Sequence, residues 1–325
     1  MQSFEYANPG TLPEATGLLA AQWGQADVLA GGTDLLSLMK EHLHSPKRVV
    51  NIKNIKELEG IQKTDAGIRI GALVTMDELA KSAEVKAAYK SLTDAAAGVT
   101  SPQIRHMGTV GGDLCQRPRC WYYRQGMGLL GMKDGKSLIP DGENQYHAIF
   151  GSGPAYFVSA SSLGPALVSL GAKVKLVSAA GSREVPVASF FVVPQNENQR
   201  EIALKPNEIL TEILIPAGAA KTATYEIRQK EALDWPMVTA SVALRMRGNS
   251  VASAKVVLGH VAPKPWEAAA AEKELAGKAI NAETAEAAGK AAVADARPLS
   301  QNAYKVTLAR VAVKRALLAA AGVKA

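Results

Sequence analysis

The chain has 325 residues, 47% of them hydrophobic, with a formal net charge of +7 and two cysteines. That length and apolar content allow two or three packed units, while two thiols exclude a disulfide framework and cannot complete a four-thiolate zinc or iron–sulfur site. The basic residues are spread along the chain and mixed with acids, without a basic stripe or interleaved aromatics, which speaks against nucleic acid and for an acidic partner surface or an anionic ligand.

No run of about 18 apolar residues occurs, so no membrane span is expected. The opening MQSFEYANPGTLPEA has no basic stretch followed by an apolar one. The expected location is therefore cytoplasmic, or periplasmic only through co-export with a partner that carries the signal.

In chain order, ATGLLAAQW (15–23) reads as a helix, DVLAGG (27–32) as a buried strand, LLSLMKEHL (35–43) as a helix and RVVNI (48–52) as a second strand. Two strands around a helix make a β-α-β unit. A second unit begins near Gly60, where GIRIGALV is strand-like and the stretch from Met76 to Val99 is helical. Beyond Gln116, AYFVSA, AKVKLVS and REVPVASFF alternate like strands of a mixed sheet. A boundary is expected between residues 178 and 200, where a strand gives way to a polar loop. ILTEILIP, TYEIRQKE and MVTASVALRMRGNSVASAKVVLGHV then read as strands joined by short turns. The alanine-rich tail from Trp266 to Ala325 reads as helices packed on that sheet, since it lacks sustained heptads and Pro298 interrupts it.

Two Gly-Gly segments carry most of the functional information: LAGGTDLL (Leu29 to Leu36) and GTVGGDL (Gly108 to Leu114). Each follows a short apolar run, which places it at the tip between a strand and the next element. Glycine there lets main-chain N–H groups turn toward an anionic oxygen, and the pair suggests a diphosphate held from two loops. G-x-x-x-x-G-K-S/T and a helix-opening G-x-G-x-x-G are both missing, which argues against a P-loop NTPase or a Rossmann site. G-x-S-x-G, H-E-x-x-H and a convincing Cys/His pair are also missing. His42 and His44 read as solvated, and His106 and His147 as hydrogen-bonded loop histidines near the ligand. Cys115 and Cys120 give C-x4-C and read as ordinary thiols.

The two glycine segments, with SPQIRHMG before the second, resemble the flavoprotein (medium) subunit of the molybdenum hydroxylases, the family of xanthine, carbon monoxide and aldehyde dehydrogenases. NIKNIKELEGI (51–61), IRIGALVTMDELA (68–80), SLGPALVSLGAKV (162–174), KPNEILTEILIP (205–216) and KEALDWPMVTASVAL (230–244) follow in that family's order. The resemblance implies an α+β fold with a two-part FAD-binding domain of PCMH type, residues 1–58 and 59–180 with an insertion at 116–151. A C-terminal domain of carbon monoxide dehydrogenase flavoprotein type, residues 181–325, would follow, with an antiparallel sheet and helices. Relatives of the aldehyde-oxidoreductase type carry a [4Fe-4S] cluster in that insertion. Only Cys120 matches one of its thiolates, while later positions read Leu129, Leu130, Leu138 and Tyr156, so the insertion is expected without its cluster.

By the same resemblance FAD is the cofactor. Leu29, Ala30, Gly31, Gly32, Thr33, Asp34 and Leu35 would wrap the diphosphate and ribityl chain, and Thr109, Val110, Gly111, Gly112 and Asp113 would form the second loop. Asp113 departs from the family's asparagine, and a carboxylate must turn away from phosphate or be paired. Val99 and Leu210 would pack against the ring systems, Lys230 would stand near the isoalloxazine, and Ser162 would replace an aspartate that binds the cofactor. The implied partners are a molybdopterin-binding large subunit and a small subunit with [2Fe-2S] centres, which hand electrons to FAD and then to an external acceptor. The implied activity is that of an oxidoreductase subunit. Its alternatives are a free-standing FAD oxidase and a scaffold subunit without flavin.

Overall fold

A computed structural model describes residues 1–99, 101–151, 153–230 and 234–324. The first unit is the expected β-α-β arrangement. Strands β1 (Glu5–Ala7), β2 (Ala26–Leu29) and β3 (Arg48–Asn51) run parallel in the order β1-β3-β2. The intervening helices are shorter than expected. The first covers Leu12–Gly17, started by the Thr11 side chain accepting from Glu14 N–H, and the second covers Leu35–Lys40.

The second unit corrects the mixed-sheet expectation. Strands β4 (Ile61–Thr64) and β5 (Gly67–Gly71) join β8 (Lys173–Ser178), β9 (Gly181–Pro186) and β10 (Ile209–Pro216) in the order β4-β5-β10-β8-β9, with every pair antiparallel. Tight hairpins at 65–66 and 179–180 force that direction. AYFVSA forms no strand. Because β10 pairs with β5, this sheet extends to Pro216, past the expected break at residue 181. Alternation alone places a strand but does not say which sheet receives it.

The expected long helix from Met76 is three, Met76–Lys81, Ala83–Ala88 and Lys90–Gly98, with Thr75 and Ser82 capping the first two. Residues 116–151 contribute the helix Trp121–Arg124 and a hairpin of β6 (Met132–Lys133) with β7 (Lys136–Ser137). They pack around their own apolar cluster. Leu129 and Leu130 lie in it beside Cys120, Ile139 and Phe157, with Tyr156 packed against it. Among the described residues no group of three His, Cys, Asp or Glu side chains is placed to hold a metal ion.

The last unit is an antiparallel meander of β11 (Lys221–Arg228), β12 (Pro236–Arg247), β13 (Ser250–Gly259) and β14 (Trp266–Glu267). Helices Ala269–Leu275, Ala282–Ala292 and Tyr304–Ala321 share one apolar core with it, as the alanine-rich tail suggests. Gly289 is required where two helices meet, since a Cβ there would stand 2.6 Å from the Arg310 carbonyl oxygen. No helix among the described residues is long and apolar enough to cross a membrane.

One polar seam ties this unit to the insertion. Lys305, 1% exposed, donates from Nζ to the carbonyls of Tyr146, His147 and His260 at 3.2, 3.1 and 2.5 Å. Burial pushes Lys305 down to about 7, and burial with Lys305 alongside pushes His260 down to about 3. The folded chain therefore excludes a proton that an unfolded histidine takes up near pH ~6.5. Stability from His260 is present above about pH 6.5 and is lost as pH falls toward about 3. Against His260→Gln, the wild type should lose about 1.4 kcal/mol more per pH unit below pH ~6.5. Urea unfolding of both proteins at a series of pH values measures this, and parallel profiles would contradict a buried neutral imidazole.

Candidate functional site

The two glycine segments meet. Gly31 lies against the second segment so closely that a Cβ on it would stand 1.8 Å from the Met107 carbonyl oxygen. Both then line one cavity of about 330 Å3, with Ala30 through Leu35 from the first segment and Gly108, Thr109, Gly112 and Asp113 from the second. Val99 and Ser162 also line it.

Their roles differ. In the first segment the N–H groups of Gly31, Gly32, Thr33 and Asp34 meet no acceptor among the described residues. Gly32 has φ 75°, the left-handed backbone that glycine accepts most readily. Unpaired main-chain donors facing a cavity are what an anionic group can satisfy. The second segment is not a strand-end turn but the start of a short helix, Val110–Cys115. Thr109 caps it by accepting from Gly112 N–H at 3.1 Å. Val110 and Gly111 donate to the carbonyls of Val74 and Ala72, and Asp113 donates to that of Thr109. The N–H groups of Val110 to Asp113 are thus engaged internally, and Gly111 serves close packing, since a Cβ would stand 2.9 Å from that of Ala72.

Leu29, Val110, Gly111 and Leu210 do not line the cavity. The three apolar residues lie in the cores, 8%, 1% and 5% exposed. Their neighbours bring them near without exposing them. Lys230 is exposed and outside the lining.

Two acids of the site are already partnered. Asp34 accepts from Arg117 N–H at 2.8 Å and from the Arg124 guanidinium at 2.8 Å, and pairs with Arg119 at 3.0 Å. All three partners come from the insertion. Asp113 accepts from Ser161 Oγ at 2.5 Å and from the N–H groups of Ser162 and Leu163 at 3.1 and 3.0 Å. Gln116 Nε2 adds a fourth donor at 3.0 Å. Burial raises Asp113 to about 6, held back by Ser161, Leu163 and Ser162. The carboxylate is turned into the start of helix Gly164–Ser169 and is paired there.

Composition along the chain gave no hint of the cavity's cations. Arg117, Arg119 and Arg200 line it with Trp23 and Trp235. Arg200 lies over the Trp23 ring at 4.4 Å and Arg119 over the Trp235 ring at 4.9 Å. Nε of each of these two arginines is buried without a hydrogen-bond partner among the described residues. The only local signal was the RPR triplet directly after the second glycine segment. His44 is not solvated either. It is partly buried in the cavity wall between Asp27 (3.4 Å) and Tyr123 OH (3.2 Å). His42 and His106 are exposed, while His147 is buried with Nε2 3.2 Å from Cys120 Sγ, a pairing across 27 residues that spacing did not reveal. Burial raises that thiol and lowers the imidazole to about 4, so the pair is neutral.

Residues 2–218 match the family described as the FAD binding domain in molybdopterin dehydrogenase, and residues 223–320 match the CO dehydrogenase flavoprotein C-terminal domain. The chain is similar to the carbon monoxide dehydrogenase medium chain of Hydrogenophaga pseudoflava, 31% identical with 98% of this chain and 96% of the relative covered. It is also similar to the aldehyde oxidoreductase FAD-binding subunit of Escherichia coli, 30% identical with 95% and 96% covered. Among solved structures, carbon monoxide dehydrogenase from Hydrogenophaga pseudoflava superimposes with a TM-score of 0.78 at 30% identity, over 98% of this chain and 97% of that one. Quinoline 2-oxidoreductase from Pseudomonas putida superimposes with a TM-score of 0.78 at 25% identity, over 99% and 98%.

The contact at Gly31 yields a direct test. Gly31→Ala should destabilise the chain by about 2–4 kcal/mol, because main chain cannot swing aside as a side-chain tip can. Gly17→Ala, where nothing lies within 4 Å, should stay within about 0.5 kcal/mol of wild type. Thermal melts of the two variants compare them, and equal midpoints would refute the close approach.

Proposed function

Because the chain belongs to the family of FAD-binding domains of molybdopterin dehydrogenases, we propose that it is the flavoprotein subunit of a molybdenum hydroxylase. In that role it takes electrons from [2Fe-2S] centres of a small partner subunit, downstream of a molybdopterin-binding large subunit, and passes them to an external acceptor. FAD supplies reversible one- and two-electron redox chemistry when bound, and this chain supplies placement, electrostatics and access. The complex would work in the cytoplasm, or in the periplasm where a partner carries the export signal.

The observation that carries this reading is the row of four N–H groups at Gly31–Asp34, without an acceptor among the described residues, in a segment that lines a cavity edged by arginines. A diphosphate needs such donors, and cations nearby lower its entry cost. The flat ring systems at the two ends of FAD would meet the two tryptophan–arginine faces. Ala30–Leu35, Thr109, Gly112, Val99 and Ser162 are proposed as contacts. Leu29, Val110, Gly111 and Leu210 would support these contacts from the cores, and Asp34 and Asp113 would act by holding the insertion and the second segment in place.

The resemblance places Lys230 by the isoalloxazine, yet Arg119 is the cation that lines the cavity beside Trp235. We assign to Arg119 the stabilisation of negative charge on the reduced ring. Arg119→Gln should then lower the two-electron midpoint potential of bound FAD by about 30–60 mV, while Lys230→Gln shifts it by less than about 10 mV. Dye-equilibrated reductive titration reads both values, and the reverse order would return the role to Lys230. Purified chain that stays colourless in excess FAD would overturn the whole reading in favour of a scaffold subunit.

A further inference from the structure

A thiol and an imidazole from positions 27 residues apart meet within the insertion. Cys120 Sγ lies 3.2 Å from His147 Nε2, and the two residues are 8% and 4% exposed. The Asn144 carbonyl accepts a hydrogen bond from the same imidazole. With Nε2 turned to the sulfur, that bond keeps the ring proton on Nδ1 and leaves Nε2 to accept from the thiol. Asn144 is itself fixed. Its Nδ2 donates to the carbonyls of Ile139 and Pro140, each at 3.1 Å, and to Ser300 Oγ at 2.9 Å, while its Oδ1 accepts from Gln301 N–H at 2.9 Å. The Tyr122 ring packs edge to face on the imidazole, with centroids 5.9 Å apart.

These three groups stand in the order that nucleophilic catalysis uses: a sulfur, a base in contact with its proton, and a carbonyl that orients the base. Burial pushes the thiol up, and the main-chain N–H groups of Tyr123 and Tyr122 oppose that shift, as donors to a developing thiolate do. Cys120 and His147 both line a second cavity of about 280 Å3, which shares Arg119, Trp235 and Pro236 with the first. Trp121 and Tyr146 line it too. They meet edge to face at 5.4 Å and are 42% and 39% exposed, so the lining reaches solvent at this pair. A base-paired sulfur in the wall of an open cavity is a reactive arrangement, whereas a thiol kept only for packing needs neither partner nor access.

Charge and shape narrow the reaction partner. Lys305 and Arg119 in the lining disfavour a cationic molecule, and Val158, Ala160 and Met237 add apolar wall beside the two aromatic rings. Lys305 does not compete as the nucleophile, because its Nζ is occupied by three carbonyls. We propose that Cys120 is an acylation site, with His147 as its base, for uncharged esters of flat aromatic alcohols. The thiol proton passes to His147 Nε2 as the sulfur attacks the ester carbonyl carbon. The bond from that carbon to the aromatic oxygen then breaks, the leaving oxygen takes the proton from His147, and the acyl group stays on Cys120 as a thioester. No oxidant or reductant is consumed, so the site works apart from the flavin chemistry.

Reaction of the full FAD-loaded chain with 4-nitrophenyl acetate at neutral pH tests the site. A burst of a single equivalent of 4-nitrophenolate per chain is expected. Peptide mass mapping should place the acetyl group on Cys120, and neutral hydroxylamine should release it, as it does a thioester. His147→Gln should slow the burst by about a hundredfold although the thiol is still present. Cys115→Ser, which changes the other thiol, should leave the burst as in wild type. Val158→Phe narrows the cavity from outside the dyad, should slow the burst at least about tenfold, and serves if His147→Gln does not fold. Acetyl groups on lysines alone, acetylation of Cys115 in place of Cys120, or an unchanged burst in folded His147→Gln or Val158→Phe would each overturn the proposal.

Discussion

Everything in the cavity depends on one main-chain contact, the approach of the Met107 carbonyl to Gly31. Two segments nearly eighty positions apart can only share a ligand if nothing stands between them, and any side chain at residue 31 would occupy the place of that oxygen. The contact fixes the first segment against the end of helix Pro102–Met107, which leads through Gly108 and Thr109 into helix Val110–Cys115, and Gly111 in turn fixes that second helix against Ala72 beside β5. Parallel and antiparallel sheets are thereby joined through backbone, which is less yielding than side-chain packing.

The insertion completes the site electrostatically. Asp34 alone would place negative charge beside the cavity proposed to take the diphosphate, but Arg117 N–H, Arg119 and Arg124 draw it away. Burial opposes the charge on Arg117, and Glu201 at 2.9 Å together with Tyr123 and Asp34 more than offsets that, keeping the guanidinium above its ordinary range. Arg119 is drawn below its ordinary range by burial, with Asp34 opposing the shift. Its unpartnered Nε and its place in both cavity walls give it a role that no isolated ion pair at the surface would have. Arginines of the insertion thus latch the first glycine segment.

Much of the fold was legible. The β-α-β start, the terminal antiparallel meander and the helical tail follow from periodicity and composition, because each is made of neighbours in sequence. The second sheet was less so. β10 enters between β5 and β8 from far along the chain, and nothing in ILTEILIP says where it will pair. Of the candidate site, Ala30–Leu35, Val99, Thr109, Gly112, Asp113 and Ser162 line the cavity, whereas Trp23, Arg119, Arg200 and Trp235 were missed. These four come from four separate stretches, and no spacing along the chain relates one to another.

The sequence by itself determined the family and the glycine segments, since ordered motifs and residue types are local properties that survive without coordinates. The tertiary structure alone decided how each glycine is used. Gly31 admits a carbonyl, Gly111 admits a methyl group, and the run from Gly31 to Asp34 leaves its N–H groups without an acceptor among the described residues. It also decided which cations face the cavity, because long basic side chains reach it from distant positions while Lys230, the nearest by motif, faces solvent. Hydrogen-bond satisfaction and close approach are relations between segments, and no spacing along one strand of text encodes them.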